Sequence, residues 1–338
     1  MSLLESSIQT FSRPADRRVF VPFAALVAVM AAIVVGIAVG PVYIGPGTVL
    51  KALFGTASAT TEIIVEDIRL PRVLVGAMVG ANLAMSGAIL QGVTRNPLAD
   101  PHVFGISSGA GAIAVAGIIF FPEVPFYQVQ MVSFFGGLAA GGLAYAMAWR
   151  GGVSPARLAL AGIAVTSMLT AVISAMLVTS QLSAQIGLRW LIGGLLGRNW
   201  EDFWLLLPYF VGGSAVAMAM ARQLNVIALG DEVATSLGQH VERTRLALTA
   251  IAALLASSAV SVAGLIGFVG LIIPHWGRLL LGNDYRFLIP TSALFGACLL
   301  IFADTAARTA FDPRELPVGV LTAVLGGPVF VYLVRRRA

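Results

Sequence analysis

Few residues in this chain have the types and spacing to do chemistry. Gly105–Gly109 reads Gly-Ile-Ser-Ser-Gly, the spacing of a nucleophilic serine on a tight turn, with His102 close by. Acyl transfer by such a serine needs a strand that turns sharply into a helix. Here the stretch opens an apolar run rich in Gly, Ser and Ala, small residues that let membrane helices approach closely, and packing explains it better. His102, His240 and His275 lie far apart and have no metal-ligand spacing. They read as two loop residues and the cap of a short helix. Asp304 lies inside an apolar run, where an unpaired carboxylate costs about 3 kcal/mol. It reads as a structural acceptor paired within a bundle, with a proton or ion site as the alternative. Cys298 is the single cysteine, which excludes an intrachain disulfide and a cysteine-based metal site. Lys51 is the single lysine, and no Gly-x-x-x-x-Gly-Lys-Ser/Thr loop occurs. The chain therefore does not hold ATP in the P-loop manner, and any ATP-driven work requires a partner. No catalytic residue, metal site or resident cofactor is expected.

The elements that would position these residues are set by the solvent. Hydrophobic residues make up 58% of the chain and charged residues 11%, against about 25% charged in a soluble domain. The mean hydropathy is +0.91. Core burial does not account for this deficit of charge, whereas a bilayer does. The net charge of +5 is modest and gives no reason to expect nucleic acid. The expected fold class is all-α: one polytopic integral membrane domain over 20–334, between a cytoplasmic segment 1–19 and a cytoplasmic tail 335–338.

Apolar runs of spanning length occur near 20–40, 70–92, 104–121, 127–149, 156–179, 203–221, 289–307 and 316–334. No Ala-x-Ala site follows a short apolar region, so the first run reads as a retained crossing rather than a signal peptide. The run from Leu246 to Leu281 would reach about 54 Å as one helix, too long for a single crossing. Gly264, Gly267, Gly270 and Pro274 interrupt it, so it reads as a full crossing, a bend and a shorter returning helix. That makes about ten transmembrane helices. With both termini cytoplasmic, Arg13, Arg17 and Arg18 and Arg335, Arg336 and Arg337 fall on the inner side, as the positive-inside rule requires. An even number of crossings satisfies both clusters. A weak similarity between the second crossing onward and the seventh onward points to an inverted repeat.

Between crossings six and seven lies Leu229–Arg245, polar and cytoplasmic in this topology. Asp231 is placed to cap the free N–H groups of a short helix, Glu232 to favour its positive end and Gly238 to take a left-handed C-terminal position. Val233, Ala234 and Leu237 form a small apolar face at helical spacing.

Three stretches carry a resemblance. Arg69–Gly111 holds Arg-Leu-Pro-Arg and Asn-Pro-Leu-Ala-Asp-Pro, the second is Leu229–Gly238, and Gly264–Leu333 holds Gly-Phe-Val-Gly with Pro-His and then Glu-Leu-Pro-Val-Gly. In register, from about residue 20 to the C-terminus, they resemble the FecCD family, permease subunits of type II ABC importers for iron chelates, haem and cobalamin. The resemblance implies a homodimer with a central path in a bacterial inner membrane. It also implies two cytoplasmic ATPase subunits carrying ATP and Mg, and a periplasmic binding protein. It places Arg69, Arg72 and Arg308 where such permeases receive acidic residues of the binding protein, although arginines at a membrane edge also snorkel. It makes 229–245 the ATPase-coupling segment, with Asp231, Glu232, Val233, Ala234, Leu237 and Gly238 at the contact. Ser154 and Pro155 fall at the cytoplasmic gate, where relatives can carry hydroxyl residues, so Pro155 is a departure. Arg189, Trp190 and Arg198 fall at the outer mouth, where they suit a flat anionic ligand or an interfacial belt. Haem is the first substrate expectation, a ferric siderophore the second and cobalamin the third. An ion-coupled secondary transporter is the alternative of a different class. It would rest on Asp304 and would not need Leu229–Arg245.

Overall fold

The computed structural model describes residues 14–179, 181–310 and 315–335. Arg13, Arg336 and Arg337, and the 311–314 part of the third motif, lie outside the described residues. Among the described residues, seven helices are long and apolar enough to cross a membrane. They are α1 (Pro14–Ala38), α3 (Ala59–Thr94), α5 (Phe126–Ala148), α6 (Pro155–Thr179), α8 (Trp200–Ala219), α11 (Val241–Ala263) and α13 (Tyr285–Thr309). Three shorter apolar helices, α4 (Ile106–Phe120), α12 (Val269–Leu281) and α14 (Val318–Arg335), supply the remaining expected segments. Short helices α2 (Pro46–Leu53), α7 (Gln181–Ile192), α9 (Ala221–Ala228) and α10 (Asp231–Ser236) lie between them. No strand occurs among the described residues, so Gly105–Gly109 has no strand-to-helix turn. Ser107 and Ser108 are instead buried in α4, and a Cβ on Gly109 would meet Ala140 Cβ at 2.4 Å.

The long run from Leu246 breaks where expected. Gly264 ends α11 at φ +72°, where a Cβ would stand 2.1 Å from the Trp190 carbonyl oxygen. Phe268, at φ +68°, starts α12. Pro274 is not a breaker, because it lies inside α12. A helical proline leaves the carbonyl four residues back without its N–H, and here Gln91 Nε2 donates to that Gly270 carbonyl at 3.0 Å. Leu70–Thr94 followed by α4 and α11 followed by α12 are the long-then-short pairs at the two ends of the sequence similarity.

The centre of the bundle is α3. Its first turns include a π-helical stretch, Ile63–Arg69, and from Pro71 to Thr94 almost every side chain is buried. It packs against α13, α11, α12 and α8. With hydrocarbon outside, helices gain little by hiding apolar surface from one another, so close approach and polar contacts hold them together. Both are present. Asn82 donates to Ser258 Oγ at 3.1 Å and Ser86 to the Ala252 carbonyl at 2.7 Å. Gly87 meets Gly270 backbone to backbone, and a Cβ there would stand 2.0 Å from Gly270 O. Gly87→Ala is therefore expected to force α3 and α12 apart at a cost of about 3 kcal/mol. Gly142→Ala, with nothing within 4 Å, is expected to be silent. Thermal unfolding of the two variants in detergent, side by side, checks this.

Candidate functional site

Along α3, Arg72 and Arg95 are separated by about 35 Å at 1.5 Å per residue, close to the thickness of a hydrocarbon core. Polar side chains gather around each of these two positions.

At the Arg95 end stands α10. Its C-terminus closes as expected: Gly238 takes φ +77°, its N–H donates to the Thr235 carbonyl, and Gln239 N–H donates to the Ala234 carbonyl, both at 2.9 Å. These two bonds satisfy carbonyls that a helix end otherwise leaves open. The N-terminus differs from expectation. Gly230 is the cap residue, at φ +117°, with no side-chain bond. The Asp231 carboxylate turns away and accepts from Arg245 Nη2 at 2.7 Å, with Arg95 Nη2 at 3.3 Å. A lost cap costs about 1 kcal/mol, whereas a charge-assisted bond to a fully buried guanidinium is worth about 1.5–3 kcal/mol, so the ion pair wins. The apolar face is also divided. Ala234 is fully buried, while Val233 and Leu237 are exposed and join Leu229 in a stripe spaced four residues apart. Glu232 is exposed in the first turn.

Arg245 was not singled out in the sequence, and it is fully buried. Besides Asp231, its guanidinium donates to Glu242 Oε1 at 3.1 Å and to the Val153 carbonyl. Glu242 Oε2 in turn accepts the Val153 N–H at 3.1 Å. The peptide groups of Val153 are thus gripped on both sides, immediately before Ser154 and Pro155. Ser154 Oγ accepts from the Arg157 N–H at 3.3 Å and caps the start of α6, which Pro155 opens. Thr94, Arg95, Asn96, Ser154, Pro155, Ala156 and Ala159 line a cavity of about 470 Å³. The only sequence signal for Arg245 is an arginine three residues after a glutamate, at the start of an apolar run.

At the Arg72 end, the structure brings Arg69, Arg72 and Arg308 together but turns them inward, with exposures of 5%, 7% and 3%. Arg69 donates to the Ile37 and Ala38 carbonyls at 2.7 and 3.1 Å and also to Val42, closing the end of α1. Arg72 forms a two-pronged pair with Asp304, both bonds at 2.9 Å, and a further bond to Glu315 at 2.9 Å. Arg308 donates to the Gly36 carbonyl. Asp304 is therefore a paired structural acceptor in this fold.

Arg189, Trp190 and Arg198 differ in their surroundings. Trp190 is buried in the core, Arg189 is exposed, and Arg198 bonds Asp202 at 3.1 Å and lies over the Phe126 ring. A separate cavity of about 750 Å³ is walled by Ile192, Leu265, Phe268, Leu271, Val320 and Phe330, with Asp100 and His102 as its polar members.

Residues 27–336 match the sequence model of the FecCD transport family. The chain belongs to that family. Among its relatives in the family is the Fe(3+)-citrate import system permease protein YfmD of Bacillus subtilis, 41% identical over 85% of this chain and 86% of that one. The cobalamin import system permease protein BtuC of Halobacterium salinarum is 49% identical over 82% and 75%. The hemin transport system permease protein HmuU of Yersinia pestis is 42% identical over 80% and 83%. A solved inward-facing conformation of a metal-chelate type ABC transporter superposes with a TM-score of 0.84 and 28% identity, covering 93% of this chain and 98% of that one. The chain is a membrane permease of the ABC-importer type.

Proposed function

We propose that this chain is the translocating subunit of an ABC importer that moves an iron-containing chelate from a periplasmic binding protein to the cytoplasm. In this reading it sits in a bacterial inner membrane with both termini cytoplasmic and works as a homodimer. Two ATPase subunits bind and hydrolyse ATP with Mg. The observation that carries the reading is α10: a short helix on a rigid buried seat, presenting Leu229, Val233 and Leu237 outward at 65%, 44% and 64% exposure. Bare aliphatic side chains on a polar loop suit a groove on a partner. The ATPase docks there, and ATP-driven closure of the ATPase pair shifts the seat and the access side.

The relatives named for iron citrate and for hemin support an iron chelate, and the 750 Å³ cavity, walled by apolar residues, suits passage rather than capture. Haem is the first candidate, a ferric siderophore the second and cobalamin the third. Absorption spectra of the cognate binding protein with haem would separate them. Binding-protein docking falls at the Arg72 end, where an incoming carboxylate competes with Glu315, 24% exposed, for Arg72. An ion-coupled transporter would rest on Asp304, which Arg72 already occupies.

Leu237→Asp tests the coupling surface. Replacing an exposed leucine with a charge leaves the fold intact and is expected to cut ATPase co-purification at least about tenfold, the effect of about 1.4 kcal/mol. Undiminished capture of the ATPase would remove α10 from the interface.

A further inference from the structure

The contacts around Asp231 branch into two arms. One oxygen, Asp231 Oδ1, meets two arginines, Arg245 at 2.7 Å and Arg95 at 3.3 Å. Each arginine leads to a different wall of the 470 Å³ cavity. Arg95 lies on its rim beside Thr94 and Asn96, and it ends α3 in a left-handed conformation at φ +51°. Arg245 leads to the other wall. Together with Glu242 it holds both the N–H and the carbonyl of Val153, the residue before Ser154 and Pro155. The 149–153 turn is itself closed by the bridge between Trp149 and Val153.

We propose that Asp231, Arg245 and Glu242 form a strut that transmits movement of α10 to the turn before α6, with Arg95 tying the opposite wall to the same carboxylate. The proposal rests on the coupling role given to α10 and assigns Arg245 as a positioning residue. The argument is one of stiffness. Arg245 has no exposed surface, so its planar fork is packed in place and has no room to swing as Asp231 moves. Guanidinium–carboxylate geometry is directional, and a fully buried guanidinium gives up a carboxylate partner reluctantly. Displacing α10 therefore drags the Val153 peptide rather than breaking the contact. Arg95, with 37% of its side chain exposed, is the softer of the two links.

Arg245→Lys keeps the charge but removes the fork, so it cannot hold Asp231, Glu242 and Val153 at once. Arg95→Gln cuts the second link at a half-exposed site and puts the fold at little risk. Both are measured in the complex reconstituted in liposomes with its ATPase and binding protein, reading ATPase capture, ATP hydrolysis and substrate uptake separately. The expected result for Arg245→Lys is normal capture, hydrolysis within about twofold of wild type, and uptake per ATP reduced at least about tenfold. Arg95→Gln is expected to lower the same ratio about threefold. An unchanged ratio in a folded Arg245→Lys protein overturns the strut. So does uptake that falls only in proportion to ATPase capture, since that makes the cluster a mere seat. If Arg245→Lys fails to fold, an unchanged ratio in Arg95→Gln overturns the linkage and a lowered one supports it. Failure of the underlying reading shows elsewhere, as undiminished ATPase capture by Leu237→Asp.

Discussion

Asp304→Ala is expected to cost the folded protein about 3 kcal/mol, at the lower end of the range for breaking a buried ion pair. Arg72 makes two of its bonds to Asp304 and a third to Glu315, so the variant leaves a buried cation with one carboxylate. That remaining partner keeps the loss below the upper end of the range. Asp304→Asn keeps an acceptor oxygen and loses the charge, so its loss should be about half as large. Glu315→Gln removes a partly exposed partner and should cost about 1 kcal/mol or less. The order Ala, then Asn, then Glu315→Gln is read from thermal unfolding in detergent and from the yield of folded protein in the membrane. Arg72→Met combined with Asp304→Leu should recover part of the Asp304→Ala loss, because removing both charges leaves neither stranded. Asp304→Asn with wild-type stability and abolished uptake would reverse this assignment and make Asp304 a titrating site.

That pair also marks the limit of what the sequence discloses. The ten apolar segments were legible because hydrocarbon thickness fixes helix length and charge is costly inside it. The bend after α11 was legible because Gly264 adopts a backbone angle that other residues avoid and packs against Trp190 without room for a side chain. Asp304 was legible as a residue that must have a partner, but Arg72 stands 232 positions away, and no local pattern connects the two. The same limit applies at 229–245. Its helix end at Gly238 follows from local chemistry, since the bonds to Thr235 and Ala234 run within one turn. Asp231 looked like a cap for the same local reason. It serves instead a guanidinium 14 residues onward, which is held where the turn before α6 meets the start of α11. Pro274 misled in the same way, because the side chain that satisfies the carbonyl it frees comes from α3. Arg69, Arg72 and Arg308 were legible as a group, but not the direction they face, which depends on carbonyls at the end of α1 and on Asp304.

Ala234→Pro is expected to abolish productive transport while leaving the crossings folded. Ala234 N–H donates to the Gly230 carbonyl at 2.9 Å, and proline removes that donor and drives its ring into the same carbonyl, at about 3 kcal/mol. A helix of six residues has too few bonds to absorb that loss. The damage stays local because the neighbouring helices have their own anchors: Leu224 and Ile227 in α9 and Leu248 in α11 are fully buried. Arg245 keeps Glu242 and Val153 when Asp231 is released, so the start of α11 holds its place. Uptake per ATP hydrolysed should fall at least about tenfold, with the unfolding midpoint shifted by no more than a few degrees. Ala234→Gly, which weakens the helix by about 1 kcal/mol without blocking it, should fall between. Wild-type transport by Ala234→Pro would show that force enters the permease somewhere other than α10. A variant that captures the ATPase and lets it hydrolyse ATP without moving substrate would show that binding the motor and being moved by it depend on different features of one segment: the exposed aliphatic stripe for the first, and the helix that holds Asp231 against Arg245 for the second.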